Sequence, residues 1–255
     1  MAEASVATDR RHGVQIITIN RPDARNAIDR ATAEGIAAAL DELDNDGVLR
    51  AGVITGAGGT FSAGMDLKAF TRGERSHVES RGSGGIVQRP PNKPLIAAVE
   101  GYAVALGFEI ALACDLIVAA RDARFGLPEV KRSLVAVAGG LLRLPRRIPY
   151  HLAMELALTG DFIDAERADQ LGLINRLSEP GQALPDAIEL ASKITRNGPL
   201  ALDATKAIVS QAQDWTMEEA WERQGEIAGP VFASEDAQEG AMAFAQKREP
   251  VWKGR

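Results

Sequence analysis

Apolar and polar positions alternate along Val14–Ile19 (VQIITI), which predicts a strand, and Asn20-Arg21-Pro22-Asp23 breaks it. Ile36, Leu40 and Leu43 then recur at offsets of four and seven, the period of one helix face, and Asp29 is placed to cap that helix. Leu49–Thr55 (LRAGVIT) predicts a second strand, running into the turn Gly56-Ala57-Gly58-Gly59. Residues 71–93 are polar, rich in Gly and Ser, and end in prolines; the pattern predicts a mobile surface segment, either a lid or a plain loop. Leu95–Glu100 reads as a strand, Gly107–Ala113 as a short buried helix and Leu116–Ala119 as another strand. Strand, glycine turn, short helix, strand: the rhythm of the first hundred residues returns, without a sequence repeat at a fixed period.

Beyond Gly139 the periodicity is mainly helical. Leu152–Leu158 stops at Gly160, Asp164 can cap Ala165–Leu171, and Leu184–Arg196 stops at Gly198. Thr216 and Glu219 stand three apart, as in a capping box, ahead of a helix carrying Trp221, and Ser234 can cap a last helix reaching about Lys247. The chain is thus predicted to be α/β over roughly its first three quarters and helical over the remainder. No Pro/Ser-rich linker divides the two parts, so they are expected to pack together.

Composition narrows the function classes. The 255 residues are 45% hydrophobic and 25% charged, the balance of a soluble globular protein. One cysteine, Cys114, excludes an internal disulfide and a cysteine-rich metal site and points to a reducing compartment. The start, MAEASVATDRRHG, lacks the apolar stretch of a signal peptide, and no apolar run is long enough to span a bilayer. A net charge of −6 argues against nucleic acid as a partner. His12, His77 and His151 are scattered and share no metal-binding spacing.

Three segments could carry chemistry. Gly56–Leu67 (GAGGTFSAGMDL) follows a strand; its glycines allow backbone N–H groups to approach a ligand, but its spacing matches no nucleotide-binding loop. Gly101–Glu109 (GYAVALGFE) also follows a strand, and Glu109 interrupts the apolar run Phe108–Ala113. A carboxylate there must be paired, hydrogen-bonded or shifted in pKa, which fits a structural ion pair as well as a catalytic role. In Phe125-Gly126-Leu127-Pro128-Glu129, the last residue follows a proline turn, where a carboxylate is ordinarily solvated.

Taken in order, these segments resemble the crotonase (enoyl-CoA hydratase/isomerase) superfamily from about Val14 to the C-terminus. The matching marks are Asn20-Arg21-Pro22 with Asn26-Ala27, Phe61–Lys68, Ala98–Ala103, Glu109 with Cys114-Asp115, Phe125–Glu129, and Leu158-Thr159-Gly160. The tail from Phe244 to Arg255 is similar to that of carnitinyl-CoA dehydratases within the family. The resemblance implies a crotonase-like spiral of ββα units over residues 1–197 that binds an acyl-CoA. It also implies a helical region over 198–255 that completes the CoA site and builds a homotrimer or hexamer. The backbone N–H groups of Met65 and Leu106 would form an oxyanion hole for the thioester. Glu109 would activate or position water at Cβ, and Glu129 would supply the Cα proton. Ala63, Asp66 and Leu67 match the adenine-binding stretch, with Arg25, Lys68 and Lys247 as phosphate partners.

The implied activity is reversible hydration of a 2-enoyl-CoA by a cytoplasmic enzyme, with no metal or redox cofactor and with coenzyme A entering only as part of the thioester. A carnitinyl-CoA dehydratase-like or Δ3,Δ2-enoyl-CoA isomerase activity and a non-catalytic CoA-ester-binding relative are the alternatives. In one respect the chain departs from the pattern. Leu106 stands where relatives commonly have glycine, so a positive φ there would strain the leucine or send its side chain into the acyl pocket.

Overall fold

The computed structural model describes residues 4–255; Met1–Glu3, part of the polar start, lie outside the described residues. Strand β1 (Val6–Arg11) pairs antiparallel with β2 (Val14–Ile19). The polarity of Thr8-Asp9-Arg10-Arg11 hides β1 in the sequence, because it is an edge strand with most side chains in solvent. Helix α1 (Arg30–Asn45) is capped by Asp29, whose carboxylate accepts the Thr32 N–H at 2.9 Å, and it buries Ile36, Leu40 and Leu43.

Three corner-turning units follow. Strand β3 (Ala51–Gly56) leads through the turn to Ser62 and the short helix α2 (Leu67–Thr71). After β4 (His77–Val78) and β5 (Gly82–Ser83) come β6 (Leu95–Val99), β7 (Tyr102–Val104) and α3 (Leu106–Ala113). Strands β8 (Leu116–Ala120) and β9 (Arg124–Gly126) then lead into the 3₁₀ turn Pro128–Arg132 and helix α4 (Gly140–Arg147). The first strands of these units lie side by side and parallel, and so do Ser62, β7 and β9 in a second layer. Each unit therefore steps along both layers by one strand, which is the predicted spiral.

Helix α5 (Tyr150–Thr159) precedes β10 (Ile163–Asp164), α6 (Ala165–Gln170), β11 (Arg176–Ser178) and α7 (Ala183–Thr195). The region read as helical thus contributes one more strand to the main sheet, whose order is β1-β2-β3-β6-β8-β11. The main core lies between α1, α3 and the inner sheet face, while α7 lays Ala183, Ala187 and Ala191 against Val53, Ile96 and Val118 on the other. Helices α8 (Pro199–Gln211), α9 (Met217–Phe232) and α10 (Glu235–Gln246) complete the chain. They are tied to the α/β part through Lys206, which donates to Asp115 at 2.6 Å, and through the Trp252 indole, which donates to the Arg196 carbonyl at 2.7 Å.

Within residues 71–93, the stretch 81–87 departs from the expectation of a surface segment. Arg81 is only 1% exposed; its guanidinium donates to Asp41 at 2.8 Å and 2.9 Å, to Asp44 at 3.0 Å and to the Arg89 carbonyl at 2.7 Å. Ile86 and Val87 are buried in the same core as α1 and α3. A polar composition conceals this anchoring because the countercharges lie on α1. Removing one partner of a buried ion pair leaves uncompensated charge. We therefore expect Arg81→Ala to cost about 3 kcal/mol, the low end of that range because Asp41 is half exposed, as read from urea denaturation.

Candidate active site

The loop after β3 is held open from beneath. Buried Asn26 donates through its side-chain amide to the carbonyls of Ala57 at 2.8 Å and Thr60 at 2.6 Å. Arg21 bridges Asp29 at 3.1 Å and Asp66 at 2.9 Å, the caps of α1 and α2. The Asn-Arg-Pro mark is thus a brace that fixes the loop against two helix starts. Asp66 is spent on it: burial raises its pKa, but the N–H groups of Ala69 and Lys68 together with Arg21 hold the carboxyl below its ordinary value.

The other predicted ligand residues divide into two groups. Ala63 donates its N–H to the Arg25 carbonyl at 3.0 Å, which joins residues 25 and 63–67 in one place, with the side chains of Arg25, Leu67 and Lys68 exposed. Lys247 ends α10, and no hydrogen bond or ion pair among the described residues connects it to that group.

Gly64 carries the approach of this loop to α3. At φ +93° a side chain is disfavoured, and a Cβ there would stand 2.7 Å from the Ala105 Cβ and 3.2 Å from the Leu106 nitrogen. Among the described residues, the backbone N–H groups of Met65 and Leu106 have no backbone acceptor at this contact. The Leu106 N–H opens α3 and so has no intrahelical acceptor. The Met65 N–H lies between the Gly64 carbonyl and the Asp66 N–H, both of which are bonded to Ile28. The concern over Leu106 is corrected: Ala105 takes the positive φ, +52°, whereas Leu106 is helical. The leucine side chain is 5% exposed and faces Gly84 in the core. A non-glycine residue in that region costs on the order of 1–3 kcal/mol, so backbone strain is stored immediately before the free N–H.

Glu109 lies one turn into α3 and is 2% exposed. Its Oε1 accepts the N–H of Gly140 at 2.9 Å, an orphan donor because Gly140 opens α4. Burial drives its pKa up to about 7; the N–H groups of Gly140 and Ala138 and the Arg143 charge restrain the rise, and the neighbouring charge of Glu129 adds to it. Glu129 is also raised, chiefly by burial, and its Oε2 is buried without a hydrogen-bond partner. Glu129 borders a cavity of about 330 Å³ whose other walls include Leu127, Val135, Leu144, Ala153 and Met154. Two carboxyl groups whose ionisation burial disfavours, one of them lining an apolar cavity, are suited to hold and exchange protons.

The Gly140 donor and the strained Ala105 were not foreseen in the sequence. The pair Gly139-Gly140 ahead of a helical run was the available signal for the donor. Cys114, the C-cap residue of α3, is buried, and burial pushes its thiol up to about 12.

Comparison with known proteins shows the family. A family model described as enoyl-CoA hydratase/isomerase matches residues 9–255. An enoyl-CoA hydratase, EchA19, of Mycobacterium tuberculosis is 43% identical over 254 residues, covering 97% of this chain and 96% of its own. The carnitinyl-CoA dehydratase of Salmonella arizonae is 43% identical, covering 93% of this chain and 94% of its own. A solved structure, the enoyl-CoA hydratase EchA1 from Mycobacterium marinum, superimposes with a TM-score of 0.98 at 59% identity, covering 99% of this chain and 100% of that one. The chain belongs to the enoyl-CoA hydratase/isomerase family.

Proposed function

We propose that the protein is an enoyl-CoA hydratase that adds water reversibly to a 2-enoyl-CoA. The observation that carries this reading is the pair Glu109 and Glu129: both are raised in pKa, and Glu129 turns an unpartnered oxygen inward beside an apolar cavity. In the forward direction the Glu109 carboxylate takes a proton from water as its oxygen bonds to Cβ. The pair reacts in the form that has its shared proton on Glu129, whose carboxylic acid gives that proton to Cα, and the thioester oxygen carries enolate charge between the two events. The N–H groups of Met65 and Leu106 meet that charge; each such donor contributes about 2.7–4 kcal/mol to lowering the barrier. The pair then exchanges one proton to return to its starting state.

Coenzyme A enters with the substrate and no other cofactor is needed. The backbone of Ala63, Asp66 and Leu67 would hold the adenine, with the phosphates near Arg25 and Lys68. Because Asp66 is already paired, it would contribute backbone alone. Trp221 on α9 and Phe244 on α10 are 72% and 88% exposed, which supports a homotrimer or hexamer assembled through residues 198–255 around the 1–197 core. In that assembly Lys247 would serve a neighbouring subunit's CoA. The single buried cysteine fits a cytoplasmic enzyme.

A dehydratase of cationic carnitinyl esters is the second reading, favoured by the Salmonella arizonae relative. The cavity speaks for an uncharged acyl group, since Tyr150 is its one aromatic wall and a quaternary ammonium is recognised by a cage of several. An isomerase would need one dominant acid/base in place of two. We expect crotonoyl-CoA and 2-octenoyl-CoA to be hydrated with kcat/KM at least about tenfold above that for 4-trimethylammonio-2-butenoyl-CoA, a difference of about 1.4 kcal/mol. A preference for the cationic ester would establish the second reading in its place.

A further inference from the structure

Arg143 is the one charged side chain of α4 that faces Glu109. It folds back across the start of its own helix. Its backbone N–H donates to the Gly139 carbonyl at 2.9 Å, as in any helical turn, and its side-chain Nη2 donates to the Val87 carbonyl at 2.6 Å. Nη1 fills the place a side chain on Gly139 would take, 2.2 Å from the ideal Cβ position, and Gly139 itself sits at φ +96°. The next residue, Gly140, is the donor to Glu109. The guanidinium therefore packs over the glycine turn that presents this N–H while hydrogen-bonded to the buried segment carrying Val87.

The charge of Arg143 is half-buried and has no carboxylate within 4.0 Å among the described residues. Burial lowers its pKa, as does Arg147, one turn further along and donating to the Cys114 carbonyl at 3.2 Å, while the charge of Glu109 acts in the opposite sense. The groups facing Glu109 are thus Glu129 from the 3₁₀ turn, Arg143 from α4, and the N–H groups of Gly140 and Ala138.

We propose that Arg143 is a positioning residue: packed over the Gly139–Gly140 turn, it holds that turn behind Glu109 and sets a positive charge on the Glu109 side of the site. Its kinetic consequence rests on the hydratase reading, whereas its effect on Glu109 does not. If the positive charge is removed, the carboxylate loses stabilisation, so Glu109 must titrate at higher pH.

Protein labelled with ¹³C at the glutamate carboxyls, its Glu109 signal assigned with Glu109→Gln, is titrated as wild type, Arg143→Gln and Arg143→Lys. We expect the Glu109 midpoint to rise by about one pH unit in Arg143→Gln and to return most of the way in Arg143→Lys. The acid limb of kcat/KM for crotonoyl-CoA should move with it, losing about tenfold on the acid side, while the alkaline limb that reports loss of the Glu129 proton stays in place. A lowered melting temperature with an unmoved midpoint in Arg143→Gln would make Arg143 a structural strut and overturn the proposal. An equal rise in Arg143→Lys would overturn it as well, since charge would then not be the agent. A wild-type protein that hydrates nothing would defeat the hydratase reading alone, and the titration would still decide the role of Arg143.

Discussion

Glu109→Gln is expected to lower kcat for crotonoyl-CoA hydration by about a hundred- to ten-thousand-fold with little change in KM, the size of effect general acid–base groups contribute. The amide keeps the shape and can still accept the Gly140 N–H, so the variant removes the proton acceptor without dismantling its setting. Glu129→Gln should fall in the same range. The double variant should be no slower than the poorer single one, because groups that act as a unit lose their combined effect once. Steady-state rates followed by loss of the enoyl absorbance check all three.

A separate reading shows whether the loss is one of folding. The pKa of Glu109 is raised in the folded protein from 4.5 to about 7. Its contribution to stability is therefore fully present below the unfolded value and is lost as pH rises through about 7. The ionised group costs roughly 3 kcal/mol in the fold, from a shift of that size. At pH 8 Glu109→Gln should accordingly melt at or above the wild-type temperature. An inactive but equally stable variant identifies a catalytic carboxyl rather than a structural ion pair.

Gly64→Ala is expected to reduce kcat by about a hundred- to a thousand-fold, the cost of losing one oxyanion donor. The added methyl group meets the Ala105 Cβ and the Val104 carbonyl at distances no Cβ tolerates, so the loop carrying the Met65 N–H must withdraw from the start of α3. Gly59→Ala is the matched control. Gly59 also has a positive φ, +75°, but a Cβ there meets nothing within 4 Å. It should lose about 1 kcal/mol of stability from backbone strain and keep its rate. If the two variants lose activity equally, strain in the loop and not donor placement accounts for the loss.

The parts of the fold legible in the sequence were those whose signal is local. Asp29 with Ile36, Leu40 and Leu43 announces α1 because capping and the apolar face lie within one helix. Thr216 and Glu219 form the capping box of α9 for the same reason. Strand β1 was not legible, since its order comes from pairing with β2 and its side chains are mostly polar. Arg81 misled for a related reason: its partners Asp41 and Asp44 are some forty residues away, and composition alone assigns such an arginine to solvent. Strand β11 is three residues long, too short to display a period.

The candidate site divides along the same line. Glu109 stood out because a carboxylate in an unbroken apolar run demands an explanation. Glu129 did not stand out until the family's other marks surrounded it. Leu106 drew attention to the right place but one residue late, because whether a helix begins at 105 or 106 depends on backbone geometry that residue types do not encode. The Gly140 donor was hidden since any residue carries an N–H, and its role follows only from α4 beginning beside Glu109.

The central claim is that a pair of carboxyl groups adds water to an enoyl thioester, and the most direct test is the fate of the oxygen. Crotonoyl-CoA is incubated with the wild-type protein in heavy-oxygen water, and the product is identified by mass spectrometry. We expect 3-hydroxybutanoyl-CoA bearing one heavy oxygen at C3, formed at least a hundredfold more slowly by Glu109→Gln. Recovery of bound but chemically unchanged crotonoyl-CoA, or of a positional isomer that has gained no oxygen, would contradict it.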